Sequence, residues 1–327
     1  MRKINLSLAV VLAGILVVGS FVSCKKDGVF KPKEKISKIY FAEIYEKPDA
    51  KHIDTLVEKE LIEVWKWNKN KLIQVESANG GGWSMYFIYK GNQVTKIESG
   101  GDVFNFSYDK NNLTKIEALD EKGRNILTIT VNERSGDNIT KLTYDYSYYY
   151  ETKSKSMLFD KIQSVMRITL NRNVGEIVHK NMVNNIKMHK TTNIEKMIHV
   201  VELTYSGNNV SKVKTTSTYQ NDEPISTMSE YTYDNKKNPY YHALCLISDG
   251  VASITSYSEN NILSSSSQIL STDTTINKIK TASYIYEYNS NDFPTKQEIR
   301  VEGMAGGQYE TPYKVINRDI YYYEYAE

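Results

Sequence analysis

Two segments nineteen residues apart, "YKGNQVTKIES" at 89–99 and "YDKNNLTKIEA" at 108–118, share one template: an aromatic residue, four turn-forming residues, an apolar residue, then Thr-Lys-Ile. No other feature constrains the fold as much. The template returns as "WNKNKLIQV" from Trp67 and "YSGNNVSKV" from Tyr205. It is degenerate in "YDNKKNPYY" from Tyr233, "YSENNILSS" from Tyr257 and "YNSNDFPTK" from Tyr288. Except across the middle of the chain, successive copies lie about 19 to 30 residues apart, which suits two strands and their turns, so each unit reads as a β-hairpin.

The strand before each anchor alternates. "WSMYFIY" sets Trp83, Met85, Phe87 and Tyr89 on one face and Ser84, Tyr86 and Ile88 on the other; "FNFSY" repeats this with Phe104, Phe106 and Tyr108. Side-chain period two is the β signature. The Asn, Gly, Asp, Lys and Ser after the anchor favour a tight reversal, because Asn and Gly tolerate positive φ. The chain holds 26 tyrosines. At a strand end each can bury its ring against the next hairpin while its hydroxyl stays in water. Such a stripe is either a ligand-stacking platform or interstrand packing, and the spacing favours packing.

These Tyr-(four)-apolar-x-Lys copies, with "YTYDNKKNPYY" at 231–241 and "YEYNSNDFPTK" at 286–296, resemble the tyrosine-aspartate repeats of large bacterial shell proteins. More closely, they resemble Gram-negative, Bacteroidota-type lipoproteins that carry a porin-like domain of unknown function. The likeness covers most of residues 60–327 except 145–200. It implies an all-β fold: a many-stranded antiparallel meander of hairpins, strongly curved or closed into a soluble barrel. Roughly sixteen or more strands are expected, a number at which an open sheet tends to curl or close.

The N-terminus, "MRKINLSLAVVLAGILVVGSFVSCKKDG", has a basic pair before an uncharged run from Leu6 to Val22, the layout of a secretory signal. Cys24, preceded by Val22 and Ser23, resembles the lipobox of bacterial lipoproteins, where cleavage precedes an acylated cysteine. The organisation expected is a signal peptide over 1–23, a charged tether over 24–37, and one hairpin-repeat domain over 38–327. No Asp directly follows Cys24, and "KKD" resembles a surface-export signal. The location expected is therefore the outer membrane, at the cell surface ahead of the periplasmic face. A lipid-spanning barrel is disfavoured, because strict alternation along "LTKIEALDEK" places Lys115 and Glu117 with Leu113 and Leu119 on one face.

Without residues 1–23, which hold two basic residues, 41 − 2 = 39 Lys and Arg balance 39 Asp and Glu. No basic block marks a nucleic-acid partner. If Cys24 is acylated, Cys245 in "HALCLISDG" is unpaired, and its apolar neighbours suit a buried thiol. The five histidines show no zinc spacing. His242 and Cys245, three apart on an expected strand, would face opposite sides. "NGGGW" at 79–83 reads as a hairpin loop, and "MLFDKIQSVMRI" within 145–200 as strand. Asp54-Thr55-Leu56 and Asp273-Thr274-Thr275 match a short O-glycosylation pattern. No cofactor, metal or catalytic set emerges, so a non-enzymatic role is expected. Trp65, Trp67 and Trp83 are the candidate ligand contacts, since two tryptophans on one strand face can stack on sugar rings; packing is the competing reading. The partners expected are the membrane through the lipid anchor and a polysaccharide or envelope protein. The alternative function is an assembly component docking through a sheet edge.

Overall fold

The computed structural model describes residues 27–45, 55–56, 58–78, 84–147, 196–219, 223–243, 254–270, 280–305 and 313–327. The strands are β1 (Ile36–Tyr45), β2 (Thr55–Leu56), β3 (Glu60–Asn68), β4 (Lys71–Ser77), β5 (Ser84–Lys90), β6 (Gln93–Ser99), β7 (Asp102–Asp109), β8 (Asn112–Leu119), β9 (Asn125–Ser135) and β10 (Asn138–Ser147). They continue as β11 (Lys196–Ser206), β12 (Asn209–Tyr219), β13 (Ile225–Lys237), β14 (Asn260–Leu270), β15 (Lys280–Tyr288), β16 (Pro294–Ala305) and β17 (Tyr313–Tyr325). A four-residue helix, α1 (Ile254–Tyr257), precedes β14. Setting aside the two-residue β2, sixteen antiparallel strands meander in chain order and close, since β1 pairs with β3 on one side and β17 on the other. The all-β barrel expected from the repeat is present. Among the described residues, closure leaves no long free strand edge.

Local chemistry explains the template. In its four intact copies the first loop residue is left-handed: Lys69 (φ 53°), Gly91 (62°), Lys110 (56°) and Gly207 (61°). The apolar residue then pairs with its anchor, as Tyr89 with Val94 and Tyr108 with Leu113. The residue after it is an extra one in the ladder, a β-bulge. That position is where the template puts Thr or Ser. Thr95, Thr114 and Ser211 donate their hydroxyls to the carbonyls of Ile88, Ser107 and Thr204 at 3.3, 3.1 and 3.2 Å.

The bulge also resets the faces. Leu113 does not share a face with Lys115 and Glu117, as strict alternation expects. Leu113, Ile116 and Ala118 are all buried, and Lys115 meets Glu117 on the outer wall at 3.0 Å.

Pairing between successive hairpins stops two residues short of each apolar residue, at Gln74, Lys96 and Lys115 rather than Leu72, Val94 and Leu113. The next hairpin's anchor reaches the carbonyl left there. Tyr89 Oη donates to Leu72 O (2.8 Å), Tyr108 to Val94 O (2.6 Å), Tyr205 to Ile139 O (2.9 Å) and Tyr233 to Val210 O (2.6 Å). In the β15–β16 hairpin it is Tyr286, two residues before the anchor Tyr288, that donates to Ile262 O (3.0 Å); Tyr325 donates to Pro294 O (2.7 Å) and Trp67 Nε1 to Ile36 O (2.6 Å). These hydroxyls are bonded to backbone, not left in water as the sequence suggests.

Arg134 takes the anchor role in the β9–β10 hairpin and donates to Leu113 O at 2.9 Å. Its segment, "RSGDNITKL", is a template copy that an aromatic-anchored search misses. A further copy is split between the two ends of the described chain. Tyr325 pairs with Ile36, and in "ISKI" at 36–39 the bulged Ser37 donates to Glu324 O at 3.1 Å. The Tyr233 and Tyr257 copies are halves of one hairpin. The strand runs through the expected turn to Lys237, and Tyr233 pairs with Ile262 across an insertion.

The buried apolar residues form one cluster on the inner face, from Ile39, Trp65, Val75 and Phe87 to Leu142, Val213 and Ile299. The outer wall carries cross-strand ion pairs, among them Lys66–Glu76 (2.9 Å), Lys141–Glu133 (3.1 Å) and Lys212–Glu230 (2.6 Å). A lipid-spanning barrel has the opposite arrangement, apolar outside and polar within.

Two segments close the end of the barrel that carries the tight turns. Asp27–Lys35 crosses it: Phe30 is buried 5.8 Å from the Trp67 ring, and Glu34 accepts from Asn289 and Asn291. From Asp27 onward, therefore, the expected tether is part of the domain. The described parts of the insertion between β13 and β14 pack at the same end. Ala243 is fully buried, His242 N donates to Ser256 O at 2.9 Å, and Ser258 Oγ accepts from Val210 N at 3.1 Å and donates to Tyr233 Oη at 3.0 Å. His242 thus sits in a turn (φ 67°) rather than a strand, and Cys245 lies outside the described residues. So do Cys24, Trp83, Asp273-Thr274-Thr275, the "NGGGW" connection between β4 and β5, and the "MLFDKIQSVMRI" reading.

Candidate functional site

Strand β3 turns Glu63 and Trp65 inward together, because residues two apart share a face. Trp65 Nε1 donates to Glu63 Oε2 at 2.8 Å, and both are buried. The Trp65 ring lies 6.5 Å from Trp67 and 6.2 Å from Tyr240 of the insertion, which itself lies 6.2 Å from Tyr323 on β17. Both described tryptophans of the expected sugar platform are thus packed within the wall; Trp65 is 4% exposed, and a solvent-borne ring cannot stack on it. Packing wins because Tyr240 of the insertion lies against Trp65 and Phe30 of the N-terminal segment against Trp67.

Burial pushes the Glu63 carboxyl up to about 8, against the opposing pull of the Trp65 hydrogen bond. The group is therefore held protonated near neutrality. Beside it, Tyr323 Oη donates to Gln297 Oε1 (2.8 Å), and Gln297 Nε2 donates to Tyr286 Oη (2.9 Å). Tyr286 passes the chain to the Ile262 carbonyl, so the network ends on backbone. Burial raises the Tyr240, Tyr286 and Tyr323 hydroxyls well above their ordinary range. This is a neutral internal network that fixes the insertion against the wall. Glu63 is legible in the sequence only as a polar residue at an inward position beside Trp65.

A second polar group lies inside β11. His199 Nδ1 is 2.6 Å from Ser217 Oγ, its ring meets Tyr146 edge-on at 5.4 Å, and burial lowers its pKa to about 4. Among the described residues, no group of three or more His, Cys, Asp or Glu could hold a metal ion.

The outer wall offers a different kind of place. Over β12–β16 small side chains leave a shallow groove of about 560 Å³, floored by Thr232, Ser264, Ser266 and Ser283. The Lys212–Glu230 pair stands at one side and Arg300 at the other. Its lining is hydroxyl-rich and charged, so it suits a polar occupant better than an apolar one.

No family model matches this chain, and no curated protein matches it. Among solved structures it is similar to a porin-like protein from Bacteroides uniformis, at 11% identity and a TM-score of 0.47, covering 91% of this chain and 100% of that one. A porin-like protein from Bacteroides vulgatus is similar at 10% identity and a TM-score of 0.47, covering 90% of this chain and 99% of that one.

Proposed function

We propose that this chain is a lipid-anchored, non-catalytic binding or accessory protein of the outer membrane, displayed at the cell surface. One observation carries the reading: the barrel has a charged outer wall and a packed apolar interior, so it is built for water and not for hydrocarbon. Membrane attachment must then come from elsewhere, and acylation of Cys24 would supply it, since each buried CH₂ contributes about 0.8 kcal/mol. Glu63 and His199, a carboxyl and an imidazole that burial shifts toward the neutral form, serve the interior and are not offered to a substrate. The groove over β12–β16 is a recessed part of the outer wall, and its hydroxyl-rich, charged lining is of a chemistry suited to a polysaccharide or a polar protein segment.

The test is metabolic labelling with an alkyne fatty acid beside Cys24→Ala, followed by external protease on intact cells. The expected result is label and surface digestion in the wild type, with neither in the variant. A wild-type chain that takes up no label would overturn the anchor, and protection until the outer membrane is permeabilised would move the protein to the periplasmic face.

A further inference from the structure

We propose that the turn-bearing rim of the barrel, on the side of the β3–β8 hairpins, rests directly on an anionic lipid surface. The inference rests on the acyl anchor at Cys24 and adds an orientation to it. Asp27 is fixed to that rim. Its N–H donates to Asn111 O at 3.0 Å, its carboxylate accepts from Leu113 N at 2.7 Å and from the Arg134 guanidinium, and its carbonyl accepts from Gln93 Nε2 at 3.1 Å. Gly28 O then accepts from Val94 N at 3.0 Å. Asp27 lies three residues after Cys24, and three residues span at most about 10 Å. The opposite end of the barrel is a strand length away, about 26 Å for the eight residues of β7. An anchor on so short a lead brings the turn rim to the bilayer and leaves the far end in solvent.

The charge of the rim fits that surface. Lys69, Lys90 and Lys110 are exposed at these turns against one exposed carboxylate, Asp109, and Lys31 and Lys33 are exposed on the segment that crosses the end toward the β15–β16 turn. Lys25 and Lys26 adjoin the anchor in the sequence. On the wall, by contrast, lysines such as Lys66, Lys96 and Lys115 are matched with glutamates. Exposed Asp137 lies in the β9–β10 turn beside the Arg134 that holds Asp27, and exposed Glu259 and half-buried Asp292, the latter paired with Lys236 at 2.7 Å, lie at the turns beyond, so the surplus of lysine falls on the β3–β8 turns. Lysines held against headgroups act within a Debye length, about 8 Å at physiological salt, which a freely tethered barrel would exceed.

The test uses the acylated full chain, purified from cells that export it and reconstituted in phosphatidylethanolamine–phosphatidylglycerol vesicles. Brief amine acetylation with mass spectrometry reads each lysine, and the N-terminal peptide reports the acyl chains. Lys69, Lys90 and Lys110 should react at least about five-fold more slowly than in detergent, and phosphatidylcholine in place of phosphatidylglycerol should largely reverse this. Lys122, in the β8–β9 connection at the far end, should not change. An acylated chain that floats with the vesicles yet keeps detergent-like reactivity at the three rim lysines, or is protected at Lys122 instead, overturns the orientation and leaves the anchor standing. A chain without acyl groups overturns the anchor alone. Its rim is then judged by flotation with the anionic vesicles: binding lost in Lys69→Glu/Lys90→Glu/Lys110→Glu supports the rim, and no binding overturns it.

Discussion

The Tyr108 hydroxyl donates to the Val94 carbonyl at 2.6 Å, joining one hairpin to the one before it at the level where their ladder has ended. The same contact recurs around the ring, so the anchor tyrosines are interstrand ties rather than a binding platform. Replacing Tyr108 or Tyr205 by Phe keeps the ring and removes the tie. Each change should lower unfolding stability by about 1–2 kcal/mol, and the pair should add, the two being in separate hairpins. Urea unfolding of the single and double variants checks this; unchanged midpoints would show that the hydroxyls contribute nothing.

Thr114 is the extra residue of its hairpin: Leu113 pairs with Tyr108 and Lys115 with Ser107, so the bulge lets Leu113, Ile116 and Ala118 all face inward. Deleting Thr114 should turn these into consecutive ladder pairs, keep every face and still fold, at a cost of about 1–2 kcal/mol for the lost bond to Ser107 O and the changed twist, whereas Thr114→Ser should be tolerated within about 0.5 kcal/mol. Circular dichroism and urea unfolding of both variants check this. A deletion variant that fails to fold would mean that the bulge itself is needed for closure.

Lys69 and Lys110 hold the left-handed loop position that glycine holds in the sister turns at Gly91, Gly136 and Gly207. A side chain there costs about 1–2 kcal/mol, partly offset by the greater unfolded-state freedom of glycine. Lys69→Gly and Lys110→Gly should each stabilise the barrel, by up to about 1 kcal/mol in thermal unfolding.

Gly28 (φ 74°) passes so close to Tyr108 that an added Cβ would lie 2.2 Å from the hydroxyl. Gly28→Ala should therefore release the N-terminal segment, read as faster exchange of the Val94 and Leu113 amides that bond to Gly28 O and the Asp27 carboxylate. Slow exchange retained in the variant would show that the segment accommodates the methyl.

Glu63 binds its proton more tightly folded, at about 8, than unfolded, at its ordinary value near 4.5. Between those values the folded state holds more protons, so this group's contribution falls as pH rises through the window and is lost above 8. His199 acts from the other side. Its folded value of about 4 lies below the usual 6.5, so its contribution falls as pH drops between them. Glu63→Gln should flatten the alkaline slope of stability and His199→Gln the acid slope, each by an order of a few kcal/mol across its window. Tm against pH for the wild type and both variants is the measurement.

The hairpin repeat alone settles the all-β class, the antiparallel meander and the inward set of Met85, Phe87, Phe106 and Tyr108, because period-two alternation and turn chemistry act over a few residues. Three things needed the closed structure. The bulge at Thr114 looks like an ordinary strand residue until its partner strand is present, which is why strict alternation sets Leu113 on the face of Lys115. Arg134 and the pair Ile36–Tyr325 complete the ring only because closure brings them to the anchor position, where any long donor that reaches the free carbonyl will serve. Trp65 reads as a sugar platform in one strand and becomes core once Tyr240, 175 positions away, lies beside it. Local pattern dictates which way a side chain points relative to its own strand. What that side chain then meets is decided by non-local packing, which brings together residues that no spacing in the sequence connects.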